Sequence, residues 1–177
     1  MSTQALAAAL QRVQKVLQRR PDMAVHDDSP AIARWQAGTR VVSRNPNGTE
    51  VATDMPTEVG GSGDQVTPGW LLRAGLAACA ATRIAMAAAA EGVELSSLQV
   101  EATSRSDTRG LLGMPDAQGK PVDAGPLDVE LSVRISAPSI PAERLRAMVE
   151  EACRCSPVPA ALRSGVPLAL HIDVETP

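Results

Sequence analysis

Three cysteines, Cys79, Cys153 and Cys155, are the residues of this chain best suited to chemistry. A thiolate is a nucleophile, and a second thiol nearby can trap its oxidised forms. Cys79 lies in the run TPGWLLRAGLAACAATRIAMAAAAEG, residues 67–92, between Arg73 and Arg83. Two readings of such a thiol stand. It is inert core, or it is a nucleophile tuned by arginine: a guanidinium favours the thiolate, and burial without a charge disfavours it. An odd, low cysteine count does not make a disulfide framework. There is no CxxC, and His26 and His171 lie far apart, so no zinc site is expected. His26-Asp27-Asp28 reads as a solvated loop. The glycines of residues 55–67 lack the Lys-Ser/Thr ending of a phosphate loop, and no GxGxxG is present. With no GxSxG and no evident nucleophile beside either histidine, a hydrolase is poorly supported.

The elements that must position Cys79 follow from periodicity. Residues 67–92 read as one long helix, with Pro68 in its first turn and Gly92 just past its end. Apolar residues cover nearly all its faces, which predicts burial on most sides. Residues 3–20 form an amphipathic helix, with Leu6, Leu10, Val13 and Leu17 on one stripe and Pro21 ending it. AIARWQA, Gly38-Thr39 and RVVS read as a hairpin; Asn45-Pro46-Asn47-Gly48 is a turn, and EVATD a third short strand. The Gly-rich stretch 55–67 is expected to be a flexible connection that lets the backbone approach the long helix. SLQVEATSRSD and PLDVELSVRIS alternate as strands, with Leu127, Val129, Leu131, Val133 and Ile135 on one face. PAERLRAMVEEACRC reads as a helix, broken at Ser156-Pro157. PAALRSG is then a short helical turn, and VPLALHIDVE, which contains His171, a last strand. The class is α+β.

The chain has 177 residues, room for one domain with a core. Residues 1–28 form an N-terminal helix and linker, and 29–177 the domain. Phe and Tyr are absent, and Trp35 and Trp70 are the only aromatics of that size, so aliphatic side chains and Ala must build the core. Net charge is −3 with no basic stripe, which argues against nucleic acid. Arg73 and Arg83 interrupt the long helix, so no membrane span is expected. The N-terminus shows no targeting pattern, and a cytoplasmic location is expected.

Three segments together resemble the OsmC/Ohr family of thiol-dependent peroxidases. The first is TDMPTEVGGSGDQVTPGWLLRAGLAACAATRIAMAAAAEGVEL, similar to the family's Gly-Gly loop and cysteine-bearing central helix. The second is the pair of alternating strands, and the third is CRCSPVPAAL, similar to its second cysteine motif. The resemblance spans residues 31–175. It implies an OsmC-like fold: an intertwined homodimer whose antiparallel sheets wrap two long central helices, here with an extra N-terminal helix. It also implies reduction of organic hydroperoxides in oxidative-stress defence, without a cofactor and with an external thiol or dithiol reductant.

By that resemblance Cys79, eleven residues after Pro68, holds the peroxidatic position. Cys-Pro-Val of the family is Ser156-Pro157-Val158 here, so the resolving role passes to Cys155, with Cys153 the less favoured candidate. The family's glutamate after the helix-starting proline is replaced by Gly69, for which Glu58 is a substitute. The arginine beside the thiolate is expected to be Arg34, Arg40 or Arg83. Cys79 acting alone with an external thiol is a variant of this reading. Gly69 and Ser156 also support an alternative: a catalytically degenerate OsmC-like dimer that serves as a small-molecule binding or interaction domain.

Overall fold

The computed structural model of the chain describes residues 2–138 and 140–175. Helix α1 spans Thr3–Arg19, and Ser2 caps it by accepting from the Ala5 N–H at 3.2 Å. A three-stranded antiparallel sheet follows, β1 (Ile32–Ala37), β2 (Arg40–Arg44) and β3 (Glu50–Thr53), in the order β1-β2-β3. The expected turn closes β2–β3: Asn45 Oδ1 accepts from the Asn47 N–H at 2.9 Å.

Helix α2 spans Pro68–Ala90. Thr67 caps its start, accepting from the Trp70 N–H at 3.1 Å, and Pro68 takes a position where the N–H would be unpaired. At the other end Gly92 has φ 69°. Its N–H bonds Ala89 O at 3.1 Å, and Val93 N–H bonds Ala88 O at 2.8 Å, a Schellman stop. Only glycine adopts that left-handed position without strain.

Burial of α2 is narrower than its composition predicts. Leu76, Ala80, Ile84 and Ala88 recur every fourth residue as one buried stripe, joined by Ala89. Trp70 and Leu72 stay exposed. By length and composition alone α2 could cross a membrane, its two arginines notwithstanding. Its stripe instead packs against other elements of the same chain: α1, β4, α4 and α5.

Strands β4 (Ser97–Ser106) and β5 (Pro126–Ser136) form a long antiparallel pair. Leu98, Val100, Val133 and Ile135 face α2 and the core. Leu127 and Val129, on the same face of β5, run past that cover and are exposed. Between the strands Asp107 accepts from the Arg109 N–H at 2.9 Å and starts a one-turn helix, α3 (Thr108–Leu111), where the sequence suggests only loop. Helix α4 (Ala142–Arg154) contributes Leu145, Met148 and Ala152 to the core around Ile84. Helix α5 (Pro157–Ser164) follows after one residue break and one cap.

Three expectations change. Val13 is exposed, while Leu6, Leu10 and Leu17 of the same stripe are half-buried. The glycine stretch is not a loose connection. Gly61 lies against the Met55 backbone, where an added Cβ would collide with the carbonyl, and the loop folds back on itself rather than onto α2. The last strand does not form: residues 166–175 have no regular secondary structure, with Leu168 96% exposed. Both sheets of the protomer are open, yet among the described residues neither takes this segment as a further strand.

Candidate active site around Cys79

Cys79 sits beside the buried stripe of α2, half-buried, one residue before Ala80. The chain reaches it a second time through the α4–α5 break. Pro157 pushes the residue before it out of helical geometry, and Ser156 has φ −88° and ψ 123°. The break ends α4 and turns Ser156 inward, where it is fully buried. Its hydroxyl lies 3.2 Å from the Cys79 sulfur. The site is thus a thiol on the central helix and a buried hydroxyl at the cap of α5.

A serine at a helix N-cap ordinarily accepts from the N–H of the second or third helical residue. Ser156 makes no such bond. The third residue of α5 is Pro159, which has no N–H, so one of the two usual donors is missing. Pro159 is itself buried.

The other two thiols point to different partners. Cys155 is exposed, and its thiol donates to Glu151 Oε1 at 3.4 Å. Arg154 grips the same carboxylate twice, Nε on Oε2 at 2.8 Å and Nη2 on Oε1 at 2.6 Å. These bonds, Arg154 first and the Cys155 thiol second, with Arg83 adding its charge, draw the Glu151 carboxyl down to about 2. Cys153 is half-buried, and burial pushes its thiol up, opposed by the charge of Arg163. Arg163 closes the end of α4, donating to Arg154 O at 3.1 Å and Cys153 O at 3.4 Å.

The candidate arginines separate clearly. Arg83 is half-buried one turn along α2 from Cys79, on the same helical face. Arg40 is engaged elsewhere: its Nη2 donates to Asp54 Oδ2 at 3.2 Å, to Ser62 Oγ at 2.8 Å and to Asp64. Arg34 stands exposed on β1, opposite Val42. Glu58 is exposed in a turn over Thr57–Val59 and accepts from Thr57 Oγ1 at 3.3 Å. Gly69 leaves ordinary space, its nearest would-be neighbours being Arg73 Nη1 at 3.8 Å and Thr67 Oγ1 at 3.9 Å.

The Asp54 network is a structural cluster that sequence reasoning missed. Asp54 is buried and accepts from Ser62 Oγ at 2.5 Å, Thr39 Oγ1 at 2.5 Å and the Met55 N–H at 2.8 Å. Those bonds, the Ser62 hydroxyl foremost and Thr39 next, hold its carboxyl well below the usual carboxylate range. Arg40, on β2, and Asp54, just past β3, lie 14 residues apart, so no local spacing pairs them.

An apolar hollow of about 570 Å³ lies against α2, β5 and α5, and neither Cys79 nor Ser156 lines it. Leu76, three residues before Cys79, and Pro159, three after Ser156, form one side. Val129, Leu131 and Leu162 line the rest, with Arg163 at the rim. A second hollow, about 550 Å³, lies between β5 and α4 and contains none of the candidate residues.

The OsmC-like protein family model matches residues 61–171, from the glycine loop through Ser156 and α5. The chain belongs to the OsmC-like protein family. No protein of curated function matches it. Among solved structures, the OsmC-like protein from Mycoplasma pneumoniae is similar at 17% identity and TM-score 0.64, over 80% of this chain and 91% of that one. An organic hydroperoxide resistance protein from Elizabethkingia anophelis, with crystallant-derived thiocyanate bound, aligns at 19% identity and TM-score 0.56, over 78% and 90%. The organic hydroperoxide resistance protein OsmC from Legionella pneumophila aligns at 20% identity and TM-score 0.53, over 78% and 92%. These likenesses carry the OsmC-like fold to this chain, with α2 as its cysteine-bearing central helix.

Proposed function

We propose that this OsmC-like protein is a thiol-dependent peroxidase that reduces organic hydroperoxides through Cys79, in defence against oxidative stress. The observation that carries the reading is the pairing of the central-helix thiol with a buried hydroxyl at 3.2 Å. The apolar run of α2 around Cys79 supports alkyl substrates over small polar ones. So do relatives of the same fold that bear the name of organic hydroperoxide resistance.

In this reading the Cys79 thiolate attacks the outer oxygen of the hydroperoxide. An S–O bond forms as the O–O bond breaks, and the alkoxide leaves and takes a proton from water. Sulfur is oxidised by two electrons to sulfenic acid, and the peroxide is reduced to an alcohol. A thiol then attacks the sulfenic sulfur and expels water, and a further external thiol reopens the disulfide. Arg83 is the arginine we assign to Cys79, since the two share a helix face one turn apart and Arg40 is engaged by Asp54 and Asp64.

The same reading includes a homodimer. Trp35 is 70% exposed, and Trp70, Leu72, Leu127 and the alternating apolar residues of 166–174 are exposed with it. A second copy of the chain is the cover that the family resemblance implies, and sedimentation at micromolar concentration giving a monomer mass would contradict it. Three free thiols suit a reducing compartment, the cytoplasm.

The test of function is peptide-mapped mass spectrometry after near-stoichiometric cumene hydroperoxide. Oxidation confined first to Cys79 is expected, and none in Cys79→Ser at that site. The competing reading, a degenerate dimer that binds a small molecule, is favoured by Gly69 and Ser156. Its mark is a Cys79 left unmodified by peroxide together with a ligand-dependent rise in Tm.

A further inference from the structure

The geometry points to Ser156 as the positioning residue of Cys79, and to an external thiol as the only resolving group of this chain. The second half rests on the peroxidase reading; the first does not.

Three observations converge on Ser156. It is fully buried. It occupies an N-cap yet leaves its own helix uncapped by side chain, with Pro159 removing one of the usual donors. Its one side-chain hydrogen bond among the described residues is to the Cys79 sulfur, at 3.2 Å. A buried hydroxyl keeps a partner because leaving it unpaired is costly. Here that partner is the thiol, and the Oγ–Sγ hydrogen bond fixes where the sulfur sits.

The hydroxyl also excludes something. A serine cannot form a disulfide, and it holds the place beside Cys79 that an internal resolving thiol needs. Cys155 and Cys153 follow different courses: the Cys155 thiol is exposed and bonded to a carboxylate locked by Arg154, and Cys153 is half-buried against the core cluster around Ile84. An external thiol therefore attacks the sulfenic sulfur of Cys79, forms the S–S bond and gives its proton to the leaving hydroxide, which departs as water. A second external thiol splits the mixed disulfide and returns Cys79 as thiolate, leaving the two external thiols joined.

The experiment has two arms on the full chain. In the first, iodoacetamide alkylation of Cys79 is followed by peptide mapping across pH, without peroxide. In Ser156→Ala the rate at pH 7 falls about tenfold, as loss of a hydrogen bond to a charged group predicts, while the limiting rate at high pH is unchanged. Ser156→Thr restores the rate at pH 7. Equal rates in Ser156→Ala and the native chain across the whole pH range overturn the positioning role. In the second arm, the native chain and Ser156→Cys are treated with cumene hydroperoxide and then with 2-mercaptoethanol. The native chain gives a mixed disulfide on Cys79, and Ser156→Cys gives an internal disulfide between Cys79 and the introduced thiol. A Cys79–Cys155 or Cys79–Cys153 disulfide in the native chain overturns external resolution. A Cys79 that no peroxide oxidises in either protein sinks the peroxidase reading and external resolution with it, while the first arm still decides the role of Ser156.

Discussion

The Arg40 guanidinium on β2 meets the Asp54 carboxylate at the end of β3, Nη2 to Oδ2 at 3.2 Å, and the pair fastens the glycine loop through Ser62. Asp54 is held well below its ordinary range by hydroxyl donors, chiefly Ser62. A carboxyl depressed in the folded state stabilises fully above its unfolded value of about 4, and loses that contribution as pH falls below it. Asp54→Asn is expected to lower Tm at pH 7, with the difference from the native chain narrowing below pH 4. Thermal unfolding followed by circular dichroism across pH checks this; a gap that does not narrow in acid contradicts it.

Gly69 is a weak point of α2. It stands in the first turn, near the helix start, and a side chain there meets only ordinary contacts. Gly69→Glu replaces a poor helix former and puts a negative charge at the positive end of the helix. A gain of about 1 kcal/mol is expected from urea unfolding. A loss of stability would show that the first turn has no room for the side chain.

Ile84 has no exposed surface and lies amid Ala88, Val93, Leu145, Met148 and Ala152. Truncation there removes contacts that small neighbours cannot replace. Ile84→Ala should cost about 3 kcal/mol and Ile84→Val about 1 kcal/mol in the same assay. A cost near zero for Ile84→Ala would mean that the core collapses around the cavity.

Cys153 and Cys155 should differ in reactivity. Burial pushes the Cys153 thiol up, so less of it is thiolate at pH 7. Cys155 is exposed. Peptide-mapped alkylation should find Cys153 slower than Cys155 at pH 7 and accelerating as pH rises toward 10. Equal rates at neutral pH would contradict the burial argument.

Much of the fold was legible because local rules dominate it. Pro68 and Gly92 bracket α2, the alternation of PLDVELSVRIS makes β5, and Asn45–Gly48 makes the turn, each through short-range chemistry. What was hidden depends on distant partners. The one-sided burial of α2 follows from which elements reach it, and an all-apolar helix carries no stripe to announce that. Residues 166–175 have the alternation of a strand but pair with neither sheet of the protomer. In the site, the cysteine stood out by its setting, but the Ser156–Cys79 contact joins residues 77 apart. The local clue to it was present in Ser156-Pro157-Val158-Pro159, where a capping serine faces a helix start short of N–H donors.

The most direct measurement of the central claim is turnover: cumene hydroperoxide consumed per protein per minute with dithiothreitol as reductant. The account predicts catalysis by the native chain, none above background by Cys79→Ser, and retained catalysis by Cys155→Ser. A native chain no faster than Cys79→Ser would contradict it.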